Sequence, residues 1–232
     1  MRVAIIENIH DTALGQVGVA LAEAGAETEM FRPWADGRLP ETVAEFDGLL
    51  VLGGEQSAVD DDRFPYLPRL ARLMRDFGEC DRAVLGICLG SQVLARAWGA
   101  ENLVGAAPEF GWCEVALTDS GRSDPLMAGL PQNFPIFQWH GDTFTLPDSA
   151  VRLASNPATR NQAFRVGRAS YGTQFHFEMS RPVIEQMSRD WRVAMLQLDP
   201  DWDAAYPERA ARFGPAADAA GLAMARAWVA MI

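Results

Sequence analysis

The residues best suited to chemistry cluster around one cysteine. In Ala83-Val84-Leu85-Gly86-Ile87-Cys88-Leu89-Gly90-Ser91-Gln92 a short apolar run ends in Gly-x-Cys-x-Gly, and a helix-compatible segment, 93–97, follows at once. This is the pattern of a nucleophile elbow, a sharp strand-to-helix turn that lifts one side chain above a parallel sheet; a Cβ at either flanking position would crowd it. A thiol at a helix N-terminus meets unpaired N–H groups and the positive end of the dipole, which favour the reactive thiolate. The same pattern also fits a buried cysteine closing a core strand, so the catalytic reading needs a base, an orienting acid and an oxyanion site elsewhere in the chain.

Three histidines are available as the base. His10 follows the first apolar run with no partner at a suggestive spacing. His140 lies in Gln138-Trp139-His140-Gly141-Asp142, a polar and aromatic run expected to be a loop lining a pocket. His176 is followed two positions later by Glu178, and residues i and i+2 of an extended segment project to the same side. A carboxylate there can fix the imidazole tautomer and stabilise the imidazolium once it has taken the thiol proton. Gly53-Gly54, at the end of an apolar run, supplies a turn able to aim an N–H outward, as an oxyanion site requires, although a plain strand-to-loop turn reads the same way.

The elements that must position these groups alternate. Residues 2–7, 27–31 and 46–52 read as buried strands, with a helix at 14–24 closed by Gly25 and an amphipathic helix at 65–77. This points to a parallel α/β sheet with its site beyond the carboxyl ends of the strands. From 99 to 147 the pattern changes to short strand-like runs (112–117, 134–138) separated by turns, as expected of hairpins added at one sheet edge. Further strands are expected at 151–155, 162–166 and 170–175. A helical C-terminus follows, interrupted at Pro200 and Pro207, with a last helix over 216–232. Residues 1–180 are thus expected to form one domain, on which 181–232 packs as a helical extension.

Composition narrows the function classes. A net charge of −11 disfavours nucleic acid, and the 20 basic residues are all arginine, which removes lysine Schiff-base and P-loop chemistry. No stretch approaches the ~18 apolar residues of a membrane span. Three cysteines do not make a disulfide scaffold, so reduced thiols and a cytoplasmic location are expected. No His/Cys spacing suggests a metal site, and Asp60-Asp61-Asp62 lacks the ligand pattern of a calcium loop and reads as a solvated turn.

The order nucleophile, histidine, acid does not fit an α/β-hydrolase, whose acid lies between the other two. The chain does resemble the class I (triad) glutamine amidotransferases, with matches over most of residues 1–180. Gly86-Ile87-Cys88-Leu89-Gly90-Ser91-Gln92 is similar to that family's Gly-x-Cys-x-Gly-x-Gln motif, Gly53-Gly54 to its oxyanion loop, and Gly172-Thr173-Gln174-Phe175-His176-Phe177-Glu178 to its Gly-x-Gln-Phe-His-Pro-Glu block, with Phe177 replacing Pro. Gln138-Trp139-His140-Gly141-Asp142 resembles the segment that lies against substrate in relatives close to the amidotransferase of GMP synthase. The resemblance implies a flavodoxin-like fold and no cofactor. It also implies that Cys88 attacks a γ-glutamyl amide, that His176 and Glu178 complete the triad, and that the N–H groups of Gly54 and Leu89 face the oxyanion. Gln92, Trp139 and His140 would line the γ-glutamyl pocket. It leaves three readings open: a free-standing hydrolase or transferase acting on γ-glutamyl peptides or amides, a glutaminase subunit serving a separate synthase, or a non-catalytic module with Cys88 as a redox sensor. The apolar face of the last helix fits either core packing or a homodimer contact.

Overall fold

The computed structural model describes residues 1–10 and 12–232 of the chain. Five strands form the parallel half of one sheet: β1 (Arg2–Ile6), β2 (Glu27–Phe31), β3 (Gly48–Val51), β4 (Ala83–Ile87) and, much later, β11 (Ser170–Thr173), in the order β2-β1-β3-β4-β11. Their apolar runs are continuous because both faces are covered. In β1, Val3 and Ile5 face helices α1 (Gly15–Glu23) and α8 (Trp202–Val229), while Ala4 and Ile6 face α3 (Leu67–Glu79) and α4 (Leu89–Ala97). α2 (Pro33–Asp36) is a single turn after β2.

The sheet continues beyond β11 through antiparallel strands β10 (Ala163–Val166), β9 (Ala150–Ser155), β6 (Glu109–Leu117) and β7 (Asn133–His140). The antiparallel edge expected from the turn-rich middle of the chain is therefore present. A two-stranded ladder, β5 (Asn102–Leu103) with β8 (Thr143–Phe144), and a short helix α5 (Asp119–Ser123) complete this region.

Two expectations are corrected. The segment 138–142 is not a loop: its first three residues end strand β7, paired across to β6 with Glu109 opposite His140. Their polar side chains hid a strand whose polar face is buried in the protein. Pro207 does not interrupt the C-terminal helix either, because α8 runs from Trp202 through both Pro207 and Pro215. An interior proline costs a helix about 3 kcal/mol, and tertiary packing outweighs it. Trp202 is fully buried, stacks on Trp112 with ring centroids 5.9 Å apart, and donates its Nε1–H to Ser188 Oγ at 3.0 Å. Helices α6 (Arg181–Asp190) and α7 (Arg192–Leu198) pack in the same aromatic layer against β6 and β7. No helix among the described residues is long and apolar enough to cross a membrane.

Candidate active site

Four parallel strands deliver their carboxyl ends to one place. Asn8 follows β1, Gly53 follows β3, Cys88 follows β4 and His176 follows β11, which is where open α/β sheets build sites. Cys88 caps the N-terminus of α4 with φ 51° and ψ −110°, a backbone region that costs a non-glycine residue about 1–3 kcal/mol. The surroundings impose it. Cys88 N–H donates to Thr173 O at 2.8 Å, and a Cβ on Gly86 or Gly90 would lie 2.3 Å from Gly90 O or 2.1 Å from Val51 O. The flanking glycines are thus a packing requirement of the elbow.

His176 and Cys88 flank Gly53, where an added Cβ would sit 3.1 Å from His176 Cε1 and 3.5 Å from Cys88 Cβ. The imidazole Nδ1 lies 2.7 Å from Glu178 Oε1, and both side chains are buried. Burial alone would disfavour the imidazolium. The Glu178 carboxylate and the Cys88 thiolate outweigh it and hold the His176 pKa well above its ordinary value. Cys88 stands at the N-terminus of α4, where the positive end of the helix dipole favours negative charge on a sulfur.

The glycine turn is pinned by three side chains. Asn8 Nδ2 donates to Leu52 O at 2.8 Å, Gln56 Nε2 donates to Asn8 O at 2.6 Å, and Tyr66 donates to Asn8 Oδ1 at 3.2 Å. A Cβ on Gly54 would strike Gln56 Oε1 at 2.3 Å and Asn8 Cβ at 2.8 Å.

Phe177, in place of the family's Pro, is held from outside the turn. Gln16, at the start of α1, donates its backbone N–H to Glu178 O at 2.8 Å and its side-chain Nε2 to Phe177 O at 2.9 Å. Gly221 of α8 presses on this contact so closely that a Cβ there would lie 2.2 Å from Gln16 Nε2 and 2.3 Å from Phe177 O. The C-terminal helix therefore braces the acid end of the site. Gln16→Ala would leave the Phe177 carbonyl buried without that donor. A loss of about 1–3 kcal/mol in urea denaturation is expected, with a several-fold fall in kcat transmitted through Glu178.

The remaining sequence-derived residues sit close by, in unequal roles. Gln92 Nε2 lies 3.4 Å from both Asp142 O and Gln174 Oε1, and Gln174 Nε2 is 3.8 Å from Cys88 Sγ. Trp139 presents its carbonyl, 3.7 Å from Cys88 Sγ, while its ring packs on Phe110 in the aromatic layer. Leu89, next after Cys88, is buried. His140 is buried, with Nδ1 at 3.1 Å from Asp142 O and Nε2 at 3.4 Å from Glu109 Oε2. His10 is exposed and packs against Trp34 and Trp191. Asp61 is more than a solvated turn residue, since it takes both Arg96 guanidinium nitrogens at 2.7 and 2.6 Å, and that pairing holds its carboxyl below the usual range. Among the described residues no His, Cys, Asp and Glu group has the arrangement of a metal site.

A family model for class-I glutamine amidotransferases matches residues 6–187. The chain belongs to that family. The glutamine amidotransferase-like protein YfeJ of Salmonella typhimurium is 34% identical over 157 residues, a match spanning 66% of this chain and 66% of YfeJ, just under two thirds of that relative's length. One subunit of the glutamine-hydrolysing GMP synthase of Thermoplasma acidophilum is 31% identical over 165 residues, 68% of this chain and 75% of its own. Among solved structures, a glutamine amidotransferase from Thermotoga maritima superposes with a TM-score of 0.80 at 25% identity, covering 99% of this chain and 96% of its own. The amidotransferase match stops at residue 187, before α7 and α8, whereas the likeness to the Thermotoga amidotransferase extends through them.

Proposed function

We propose that this class-I amidotransferase chain hydrolyses the γ-glutamyl amide bond of glutamine or of a small γ-glutamyl compound, acting without a synthase partner. Cys88 attacks the amide carbon, and His176 takes the thiol proton and returns it to the departing amine. Glu178 orients the imidazole, and the N–H groups of Gly54 and Leu89 receive the oxyanion; losing one such donor typically costs ~10²–10³ in rate. Water then cleaves the γ-glutamyl thioester, releasing glutamate and restoring the thiol. The observation that carries this reading is the buried 2.7 Å His176–Glu178 pair standing across Gly53 from a cysteine in a strained elbow. Three free cysteines fit a reducing, cytoplasmic setting.

The brace that α8 provides to Phe177 and Gln16 supports action by the chain alone, because the turn that carries Glu178 is held by a helix of the same polypeptide. The relationship to the Thermoplasma GMP synthase favours a second reading, a glutaminase that hands ammonia to a separate synthase. An assay of the purified chain against glutamine and a panel of γ-glutamyl dipeptides separates them. Turnover without a partner is expected. Silence toward every substrate, relieved only by adding an ATP-dependent synthase, would replace the first reading with the second.

A further inference from the structure

A second buried histidine–carboxylate pair lies beside the nucleophile and has no part in the triad. Glu109, on β6, is directly opposite His140 on β7, and its side chain is only 5% exposed. A carboxylate so placed is costly unless donors surround it. Here Asn156 Nδ2 donates to Oε1 at 2.6 Å, Gln162 Nε2 donates to Oε2 at 2.7 Å, and His140 Nε2 approaches Oε2 at 3.4 Å. Burial pushes the Glu109 pKa up, but the neighbouring His140, Thr159 and Asn156 side chains hold it below the usual carboxylate range. Its charge is therefore kept, inside the protein, at a position the hydrolytic steps do not use.

The bonds show what the charge is tied to. Gln162 Oε1 accepts from Gln138 Nε2 at 2.9 Å, so Gln138 is tied to Glu109 through Gln162, and His140, two residues on along the same face of β7, lies against the same carboxylate. Trp139 lies between them, with its carbonyl 3.7 Å from Cys88 Sγ. On the other side His140 Nδ1 lies 3.1 Å from Asp142 O, and the same carbonyl is 3.4 Å from Gln92 Nε2. The end of β7 beside Cys88 is thus held against one carboxylate, by the Gln138–Gln162 link and by the packing of His140.

We propose that Glu109 is a positioning residue for recognition of the γ-glutamyl group: through His140, Gln162 and Gln138 it sets where the Trp139–Asp142 rim stands relative to Cys88 and Gln92. The proposal rests on the γ-glutamyl reading of the site. It predicts that disturbing Glu109 impairs capture of glutamine-shaped molecules and spares the intrinsic reactivity of the thiol. Two alkylating agents make the distinction: 6-diazo-5-oxo-L-norleucine, which carries the glutamine skeleton, and iodoacetamide, which does not. Labelling is read at the Cys88 peptide by mass spectrometry, because Cys80 is exposed and also reacts. In Glu109→Gln, norleucine-reagent labelling is expected to slow roughly tenfold or more, with iodoacetamide labelling within about twofold of wild type. Asn156→Ala removes only one donor to Glu109 and guards against a folding failure of the first variant; about threefold slowing of the glutamine-shaped reagent alone is expected there. Unchanged labelling by both reagents, or an equal loss with both, would overturn the proposal. A wild-type chain that the glutamine-shaped reagent labels no faster than iodoacetamide would overturn the γ-glutamyl reading itself, and the Glu109 proposal with it.

Discussion

Cys88→Ala is expected to lower γ-glutamyl turnover by about 10⁴-fold or more, the scale of losing a nucleophile whose partners act only through it, while the folded state persists. The fold should survive because the elbow is held by its neighbours: Thr173 O takes the Cys88 N–H, and Gly86 and Gly90 admit the close approach of α4 to β3 and β4. The backbone at residue 88 adds a stability prediction. At φ 51° and ψ −110° any side chain is strained, and alanine inherits that strain, whereas glycine does not. Cys88→Gly is therefore expected to be more stable than Cys88→Ala by about 1 kcal/mol in urea denaturation, and equally inactive. Both variants lack the thiol and leave similar space, so the difference reports the strain less the entropy glycine adds to the unfolded chain. Glycine's greater unfolded-chain freedom costs it about 0.5–1 kcal/mol, so a Cys88→Gly variant less stable than Cys88→Ala by that amount would mean that the elbow stores no strain.

Glu178→Gln should cost about 10²–10⁴ in kcat, because the amide can no longer stabilise the imidazolium or enforce its tautomer. Its pH signature follows from the direction of the His176 shift. Burial lowers that pKa, and Glu178 with the Cys88 thiolate more than reverses the effect. Without the carboxylate the imidazolium gives up its proton at lower pH, so the alkaline limb of the kcat/KM profile should move to lower pH. Stability should change with the matching sign. A histidine whose pKa is raised on folding stabilises the fold fully below its unfolded value of about 6.5, and that contribution fades as pH rises through the folded value. The variant should accordingly lag wild type most near pH 6 and converge with it in alkaline buffer. A stability gap that instead widened with pH would contradict the assignment of Glu178 as the partner of a protonated His176.

Much of this site was legible in the sequence because local geometry dictates it. An elbow needs small residues on both sides of its nucleophile, and two residues on an extended segment share a face. Cys88 and the His176–Glu178 pair therefore stand out before any fold is known. The alternation of apolar runs and amphipathic helices likewise located the parallel half of the sheet. What was not legible depends on distant pairing. Gln16 reaches a carbonyl 161 residues away, and nothing near residue 16 signals it. Glu109 acquires meaning only from the register that sets it opposite His140. The run 138–142 read as a loop because its polar side chains find buried partners on β6 and on the Gln162 segment, which reverses the usual link between polarity and exposure. Pro207 read as a helix break because its local cost is visible and the burial of Trp202, which offsets it, is not. Asn8 came closest to being found, since it directly follows a buried strand at the carboxyl end of a parallel sheet, where site residues gather.

The thioester tests the whole account most directly. Wild-type chain mixed with a turned-over γ-glutamyl dipeptide, quenched in acid within the first turnover and digested, is expected to carry one γ-glutamyl group on the Cys88 peptide. That adduct should be absent from Cys88→Ala and should vanish from wild type as substrate is exhausted. Glutamate release with no adduct on Cys88, or an adduct on another residue, would contradict attack by Cys88.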